Sequence, residues 1–445
     1  MITAIDRVVI GTDTTYKYVG KSTDEKPIST NGSKFTELDT GKEYFFDGDE
    51  QGWSEQADKY LDSIAIETAP TKTTYYVGDK FDATGAVVKA TYTDESTATV
   101  EYGVEAPEAI AFDSVVYLTY KENGRTRKAP VEITIKSNEA TDAESFVDIM
   151  SNGSSVVLES DVEVAQIFTL NSDFVLDLNG HEIVNNATAR SGKKVDYLIN
   201  ANGCELTLKG EGELHATKPK MRVAEAFNGG SIVIESGKYT SDKEVAFDAR
   251  GEGSKITMDG GEVNGREGGL MAFEGATVEV NGGKIVVTDN FPIGTNGNSG
   301  QGNNTIIING GYLEGHIESP TYEAIGIYIA NNDTFIMNDG EVFVENGAGL
   351  LMRGGNVTLN GGKIRCTGVE GGGGFIGDQK TVMSQSAIIY DEKSNYPGKE
   401  GMELTVNGGT FIGFDKSIDV QSTEVEPKVY VYGGAFVPPY VPTDA

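Results

Sequence analysis

Alternate residues are apolar in many short segments of the second half of the chain, and a tight glycine turn with one more apolar residue follows each segment. A period of two places apolar side chains on one face of a β-strand. The pattern is clearest at residues 277–285 and 356–364. It occurs ten times, and the last apolar residue before each turn is Leu178, Leu208, Ile234, Met258, Val280, Ile308, Met337, Leu359, Val406 or Val431.

The spacing of these segments indicates a solenoid. Successive segments are 22 to 47 residues apart, a constant minimum with insertions, as stacked coils with variable loops produce. A third apolar strand precedes many segments, at 269–273, 325–329 and 349–352. Three strands in so short a repeat predict a three-sided parallel β-helix of about ten coils. The inward residues of the second strands are Ile183, Leu214, Tyr239, Val263, Ile285, Leu313, Val342, Ile364, Phe411 and Phe436.

The turns of the repeat carry Asn or Asp before glycine, and glycine is abundant, with 57 of 445 residues. Asn and Asp tolerate a left-handed backbone and often form turns. We therefore expect these residues to occupy left-handed corners and to stack into a ladder of side chains from coil to coil. Their role in this interpretation is structural.

The start of the solenoid has a helix signature. Residues 141–144 have the spacing of a capping box, and Phe146, Val147, Ile149 and Met150 give the following segment an apolar side. Such a helix would cover the open edge of the first coil. Residues 156–161 and 176–181 resemble the opening of right-handed parallel β-helices in phage tail proteins and bacterial surface adhesins. This resemblance implies a fold for residues 138–445 and little about function.

Residues 59–137 predict a second all-β domain. Alternating strands surround residues 64–66, 87–92, 115–120 and 131–135, and turn residues separate them. The segment 75–85, with Gly78-Asp79 and Phe81-Asp82, followed by Ala90 to Asp94, resembles the bacterial immunoglobulin-like domain. The resemblance implies an Ig-like β-sandwich that acts as a spacer or as a weak sugar-binding domain.

Residues 1–58 form a third stretch. Residues 35–48 predict a hairpin with an Asp-Thr-Gly turn, an aromatic strand and an Asp-Gly turn, and the single tryptophan follows. This small β-module resembles one in structural proteins of tailed bacteriophages. The resemblance implies a virion-anchoring role, which we assign to Tyr44, Phe45, Phe46 and Trp53; a generic bacterial hairpin is the alternative.

Composition and charge narrow the possible functions. The formal charge of −32 opposes direct binding of nucleic acid. The sequence has neither an apolar run of 18 residues nor a signal-peptide core, so we expect neither a membrane span nor general secretion. Cys204 and Cys366 lie six coils apart, about 29 Å at ~4.8 Å per coil, too far for a disulfide. His181, His215 and His316 lack partners at metal-ligand spacing, so we expect no metal and no cofactor.

The sequence does not match the catalytic motifs of polysaccharide-cleaving β-helices. Gly180-His181-Glu182 and Gly315-His316-Ile317 depart from the Gly-His-Gly of polygalacturonases, while turn geometry accounts for Asp259 and Asp339. We therefore assign no catalytic residue and expect no enzymatic activity, with polysaccharide cleavage as an alternative.

A binding edge is predicted instead. The insertions at 186–198, 216–223, 287–303, 314–323 and 366–400 all follow the second strand, so they should emerge along one edge of the solenoid. Aromatic rings and amide or carboxylate groups recognise sugars. The glycan-binding candidates are Phe291, Tyr322, Tyr390 and Tyr396, although the same loops could be passive or pack between subunits.

The order of the parts favours a virion appendage, assembled in the host cytoplasm and exposed on the particle. We expect a head fibre or capsid decoration protein that contacts the capsid through residues 1–58 and adheres to host-surface or mucus glycans. The alternatives are a tail fibre or tailspike and a bacterial surface adhesin. Homo-oligomer and monomer both remain open.

Overall fold

The computed structural model describes residues 2–10, 13–48, 51–55, 59–316, 324–370, 374–375, 382–392, 397–422 and 426–438. The chain forms two compact units, Met1–Lys136 and Ser137–Ala445. Both are built almost wholly of β-strands, which confirms the predicted fold class. Over the described ranges, no helix is long and apolar enough to cross a membrane.

The first unit begins with a five-stranded sheet in which the strands follow one another in chain order. Its third and fourth strands are antiparallel, as the predicted hairpin requires, and Gly41 between them has a φ of +75°. The strands are β1 Thr3–Ile10, β2 Asp13–Gly20, β3 Lys34–Glu37, β4 Glu43–Asp47 and β5 Gly52–Glu55.

The rest of the first unit contains a β6-β8-β9 sheet, a β10-β11-β12 sheet and a parallel β7–β13 pair around a core of Tyr75, Val88, Ile110, Val116, Leu118 and Val131. The predicted strand at 131–135 is two strands, because the chain changes sheets after Val131. The strands are β6 Leu61–Thr68, β7 Thr74–Tyr76, β8 Val87–Tyr92, β9 Thr97–Val100, β10 Gly103–Glu105, β11 Val116–Glu122, β12 Arg125–Val131 and β13 Thr134–Lys136.

The second unit starts with a short strand, β14 Glu139–Ala140, and the only α-helix of the described chain, α1 Ala143–Asn152. The helix buries Phe146, Ile149 and Met150. The capping box is displaced by one residue from the predicted one: Asp142 is the N-cap, and Ser145 is its partner. The carboxylate of Asp142 accepts a hydrogen bond from the Ser145 backbone N–H at 2.8 Å, and the Ser145 hydroxyl accepts one from the Asp142 backbone N–H at 3.1 Å.

Eleven coils follow, and their strands form three long parallel sheets of 12, 11 and 10 strands. The first sheet contains β14, β15 Ser155–Leu158, β18 Phe174–Asp177, β21 Glu205–Lys209, β24 Ser231–Ile234, β27 Lys255–Met258, β30 Thr277–Val280, β33 Thr305–Ile308, β36 Thr334–Met337, β39 Asn356–Leu359, β44 Glu403–Val406 and β47 Val429–Val431. The second contains β16 Val162–Val164, β19 His181–Asn185, β22 Gly212–Ala216, β25 Lys238–Ser241, β28 Glu262–Gly265, β31 Lys284–Val287, β34 Tyr312–Gly315, β37 Glu341–Val344, β40 Lys363–Cys366, β45 Thr410–Ile412 and β48 Ala435–Val437.

The third sheet contains β17 Phe168–Leu170, β20 Asp196–Asn202, β23 Met221–Phe227, β26 Val245–Arg250, β29 Gly268–Phe273, β32 Phe291–Gly294, β35 Ala324–Ile329, β38 Gly347–Met352, β43 Ile388–Asp391 and β46 Ile418–Gln421. Outside the three sheets are a hairpin, β41 Gly374–Phe375 with β42 Val382–Met383, and a single 3₁₀ turn at Lys399–Gly401.

The core of the solenoid is a set of in-register columns of apolar side chains. All ten predicted inward residues of the second sheet occupy one such column, from Ile183 to Phe436, with Val162 before them. Val162 belongs to a first coil that the repeat did not count. The sequence pattern did not identify this coil because its turn, residues 159–161, has no glycine.

Two consecutive glycines in the corner between the first and second sheets have separate functions. A Cβ on Gly282 would lie 2.6 Å from the carbonyl oxygen of Asp259 in the preceding coil. Gly283 has a φ of +83°, which other residues rarely adopt. The predicted left-handed residue before glycine is present at Asn179, with a φ of +46°, but the prediction is wrong where two glycines follow one another, because the second glycine takes the positive φ.

The predicted ladder of side chains is present. In five successive steps an asparagine Nδ2 donates to the side-chain Oδ1 of the preceding coil, over 2.7–2.8 Å. The members in order are Asp259, Asn281, Asn309, Asn338, Asn360 and Asn407. The ladder satisfies polar groups along a corner and fixes the register of six coils.

Candidate functional site

The predicted loop edge of the solenoid differs from the sequence interpretation at two insertions. The stretch 287–303 contains β32, and the stretch 366–400 contains β43, so both are divided between two corners of their coils. These strands were missed because long insertions interrupt the repeat and hide short apolar segments. The insertion before β20 does lie where the sequence predicted it, whereas residues 317–323, before β35, lie outside the described residues.

Phe291 begins β32 and is half-buried. Its ring stacks on that of Tyr328 in the next coil, with centroids 5.2 Å apart and an interplanar angle of 19°. Tyr328 belongs to a buried apolar cluster with Leu351 and Ile389 on the outer side of the third sheet. Phe291 is thus the exposed margin of a packed cluster, and its role in glycan binding stays a prediction.

Tyr390 does not lie in an exposed loop, contrary to the sequence prediction. It is part of β43, only 2% of its surface is accessible, and its register partner in the preceding coil is the buried Met352. Its hydroxyl donates to the backbone carbonyl of Met402 at 3.3 Å. The ring is therefore part of the core and is not available to a ligand. Tyr322 and Tyr396 lie outside the described residues.

The outer side of the third sheet also carries a buried polar network, in β20, β23 and β26. Asp248 accepts hydrogen bonds from the Tyr197 hydroxyl at 2.6 Å and from the Arg222 guanidinium. Glu225 is the register neighbour of Asp248, and it accepts from Arg250 Nε at 3.3 Å. Arg222 Nε and Asp248 Oδ1 have no hydrogen-bond partner. The network thus joins three coils through two arginines.

The electrostatics of this network bear on catalysis. Burial, together with the charge of Asp248, raises the pKa of Glu225, and burial raises the pKa of Glu244 beside Arg222. A carboxyl group with a raised pKa beside an ionised one is a general acid–base pattern. Asp248, however, is 0% accessible, so a polysaccharide cannot contact it. The arrangement suits cross-linking of coils better than hydrolysis.

The four aromatic residues assigned to anchoring take different positions in the first sheet of the first unit. Trp53 meets the rings of Tyr18, Phe35 and Phe46 edge-on, at centroid distances of 5.3–5.9 Å. Its indole N–H donates to the carbonyl of Pro27 at 2.6 Å. Phe46 is buried, and these two residues therefore form the core of the module.

Tyr44 and Phe45 lie nearer the surface. The ammonium of Lys26 is 4.0 Å from the centroid of the half-buried Tyr44 ring. Phe45 is 38% exposed on the opposite side of β4. It lines an open groove of about 500 Å³ together with Ser54, Glu55, Tyr60, Asn123 and Arg125, among others. Arg125 stacks over Tyr60 at 4.6 Å. Of the four residues, Phe45 is the one placed to contact a partner.

Histidine and cysteine have structural surroundings in the described residues. The imidazole of His316 lies between Glu314 and Glu345, at 3.0 and 3.1 Å. Cys204 and Cys366 are free and buried. Within the described part of the chain, no group of three or more histidine, cysteine or acidic side chains is arranged to hold a metal ion.

The second sheet has an outward array that the sequence analysis did not identify. Four adjacent strands, β31, β34, β37 and β40, place two outward side chains each in two columns. One column is Lys284, Tyr312, Glu341 and Lys363, and the other is Val286, Glu314, Phe343 and Arg365. The signal was present in the sequence, since Tyr312 precedes and Phe343 follows a predicted inward residue. Only the register across coils brings the two rings together.

An Ig-like domain followed by a parallel β-helix is the architecture of a surface or adhesion-type structural protein. Residues 68–141 match the family described as bacterial Ig-like domain (group 3), in agreement with the resemblance found in the sequence. A comparison with curated proteins gave no match. The match covers the Ig-like part. The assignment of the β-helix is therefore based on its three parallel sheets.

Proposed function

We propose that the protein is a structural component of a bacteriophage particle, a head fibre or capsid decoration protein. Residues 1–58 seat on the particle, the Ig-like domain follows as a spacer, and the β-helix presents surfaces for adhesion to host or mucus glycans. The protein acts by binding and not by catalysis.

The observation that supports this proposal best is the sequence of three self-supporting β structures. The five-stranded sheet has its own aromatic core around Trp53, the Ig-like domain has a core around Tyr75, and the solenoid has an uninterrupted column of inward residues. Such stacked coils supply their own core and need no partner for stability. Rigid modules in series suit a protein that displays a binding surface.

The groove beside Phe45 is the proposed contact with the particle. Phe45 offers an exposed ring, while Arg125, Asp47 and Glu55 offer charge at its borders. Interface cores favour aromatic residues and arginine. Among the described residues, β5 pairs only with β4, so its other edge can accept a strand from a partner.

Binding to capsid proteins tests this contact. The full-length protein would be mixed with the capsid and tail proteins encoded by neighbouring genes, and binding measured by biolayer interferometry. We expect a capsid protein to bind and the Phe45→Ala variant to lose at least tenfold in affinity. Phe112→Ala is the matched control, because Phe112 is 68% exposed in the same unit and away from the groove. Binding to tail proteins alone would favour a tail fibre, and equal loss in both variants would refute the groove.

A bacterial surface adhesin is the second candidate, favoured by the match of residues 68–141 to a bacterial Ig-like family. Genomic context separates the two: capsid or portal genes beside this gene support the virion protein, and their absence supports the adhesin. Release of reducing sugar from host polysaccharide by the full-length protein would instead indicate a tailspike.

A further inference from the structure

The outward array on the second sheet has an arrangement that the stability of the solenoid does not explain. Tyr312 is the register neighbour of Glu341, and Glu314 is that of Phe343, so two rings and two carboxylates alternate at the corners of a square. All four side chains are half-buried. Among the outward positions described for this sheet, these two coils alone carry aromatic rings.

Basic side chains hold both carboxylates in place. Glu341 is bound by Arg365 Nε at 2.5 Å and by Lys363 Nζ at 3.2 Å, and the hydrogen bond from Arg365 keeps the pKa of Glu341 below its ordinary value. Glu314 is bound by His316 Nε2 at 3.0 Å and by Lys284 Nζ at 3.4 Å. Each carboxylate is therefore oriented at the surface, as a fixed acceptor with donors beside it.

The rings are held in the same way. The guanidinium carbon of Arg365 lies 3.8 Å from the centroid of the Phe343 ring, and the ammonium of Lys284 lies 6.0 Å from that of Tyr312. Stacking on one side leaves each ring with a defined orientation. Because the four strands are parallel and in register, the array is one continuous strand face across four coils.

The charge of the array identifies the kind of ligand. Its eight side chains include Lys284, Lys363 and Arg365 against Glu314 and Glu341, while the whole chain carries a formal charge of −32. The array is thus a nearly neutral area of a strongly acidic protein. An anionic ligand would be repelled by the chain as a whole, and a cationic one would find both carboxylates already paired. An uncharged ligand rich in hydroxyl groups fits, since rings stack on C–H faces and paired charges exchange hydrogen bonds with hydroxyls.

We propose that Tyr312, Glu314, Glu341 and Phe343 form a binding site for an uncharged saccharide on the outer face of the second sheet. This inference rests on the proposed adhesive function and places part of that function on a strand face and not on the loop edge near Phe291. The two rings stack on sugar residues, and Glu341 and Arg365 bind neighbouring hydroxyls.

Variants that keep the fold test the site. The full-length protein, Tyr312→Leu, Phe343→Leu and the double variant would be applied to arrays of hexose and N-acetylhexosamine oligosaccharides, with sialylated and sulfated sugars as anionic probes. Leucine retains apolar volume and removes the flat ring. We expect binding to uncharged sugars, a loss of about tenfold in each single variant and no detectable binding in the double variant. Glu341→Gln keeps the size of the side chain and should weaken binding by about tenfold through the lost charge-assisted hydrogen bonds.

Two controls separate this proposal from the broader one. Tyr432→Ala removes a ring that is 75% exposed elsewhere in the solenoid and should bind as the wild type does. Phe291→Ala reports on the loop edge. If sugar binding is lost only in Phe291→Ala, or if the double variant binds unchanged, the second-sheet site is refuted while adhesion to glycans stands. Binding of anionic sugars alone refutes the site as well. The site is also refuted if the double variant binds sugar as the wild type does and differs only in its molar mass, measured by light scattering. Binding of no sugar at all refutes both the site and the glycan half of the proposed function, and leaves particle binding to its own test.

Discussion

A side chain on Gly282 would meet the backbone carbonyl oxygen of Asp259, in the preceding coil, at 2.6 Å. Real Cβ atoms do not come so near an oxygen, so the coils would have to separate. The contact is with backbone, which cannot rotate away as a side chain can. The lack of a side chain at Gly282 thus allows the two coils to keep their observed distance.

We expect Gly282→Ala to destabilise the solenoid by about 3 kcal/mol, the upper end of the usual cost of overpacking, because the contact is with a fixed backbone. Gly180→Ala is the control, because Gly180 has a φ of +88° with no atom within 4 Å of the added Cβ, and should cost only about 1–2 kcal/mol of backbone strain. Urea unfolding followed by circular dichroism measures both. Equal costs would show that close approach does not matter.

The ladder of asparagines predicts an asymmetry between asparagine and aspartate. Asn309 donates to Asn281 and accepts from Asn338, so Asn309→Asp removes a donor and sets two acceptors against each other, at a cost of about 1–3 kcal/mol. Asp259, at the first position, accepts from Asn281, so Asp259→Asn keeps this hydrogen bond and should lower the free energy of unfolding by less than about 1 kcal/mol through the lost charge. Thermal unfolding of the two variants checks this, and similar shifts in both would contradict it.

Asp333 predicts a pH dependence of stability. It is 0% accessible, and its Oδ1 accepts hydrogen bonds from the backbone and side chain of Asn304. Burial raises the pKa of this carboxyl to about 6. Since the unfolded chain releases the proton more readily, the folded state holds more protons between pH 4 and 6 and loses stability as the pH rises through 6.

The variant Asp333→Asn should therefore be more stable than the wild type at pH 8, by up to about 3 kcal/mol, and equally stable near pH 4. Asp113→Asn, at an exposed position of the first unit, serves as the control and should show no such difference. Urea unfolding of the solenoid, measured at both pH values for each protein, provides the free energies to compare. A variant less stable than the wild type at pH 8 would refute the unfavourable burial of charge.

The two thiols should be unreactive in the folded protein. Both are free and buried, and burial raises the pKa of Cys366 to about 11 and also raises that of Cys204. Because the thiolate is the reactive form, less than about 1% of Cys366 is reactive at pH 8. We expect negligible labelling by a thiol reagent in the native protein and two labelled thiols in urea. Rapid native labelling, or a disulfide between them, would contradict the order of the coils.

Periodicity determined the solenoid because each coil repeats the same alternation. Ile285 and Val342 were assigned inward from sequence, and both lie in the predicted column. The method failed where a coil departs from the pattern, as at Val162, where the turn has no glycine, and at Tyr390, where a long insertion precedes the strand. Polar residues beside the glycines suggested the ladder, but the sequence did not show that Asn179 takes a positive φ while Asn281 leaves it to Gly283.

Binding surfaces were harder to predict than the fold. Aromatic residues in insertions were favoured because loops carry function, whereas Tyr312 and Phe343 lie on strands where an outward position and an inward one differ by a single residue. Their neighbours belong to coils 22 to 29 residues away in sequence, so no local pattern reveals the array. Phe45 and Phe46 differ in the same way, and only one of them faces outward.

The ladder of side chains has a direction. Every amide from Asn281 to Asn407 points its N–H toward the start of the chain and its carbonyl oxygen toward the end, so the small dipoles add as peptide dipoles do along a helix. The carboxylate of Asp259 stands at the positive end of this row, where a negative charge is most stabilised. At the other end the aligned residue is Tyr432, which has no amide to extend the row. A row of neutral side chains thus acts as a single extended dipole. The negative charge of Asp259, at the first position, offsets its positive end.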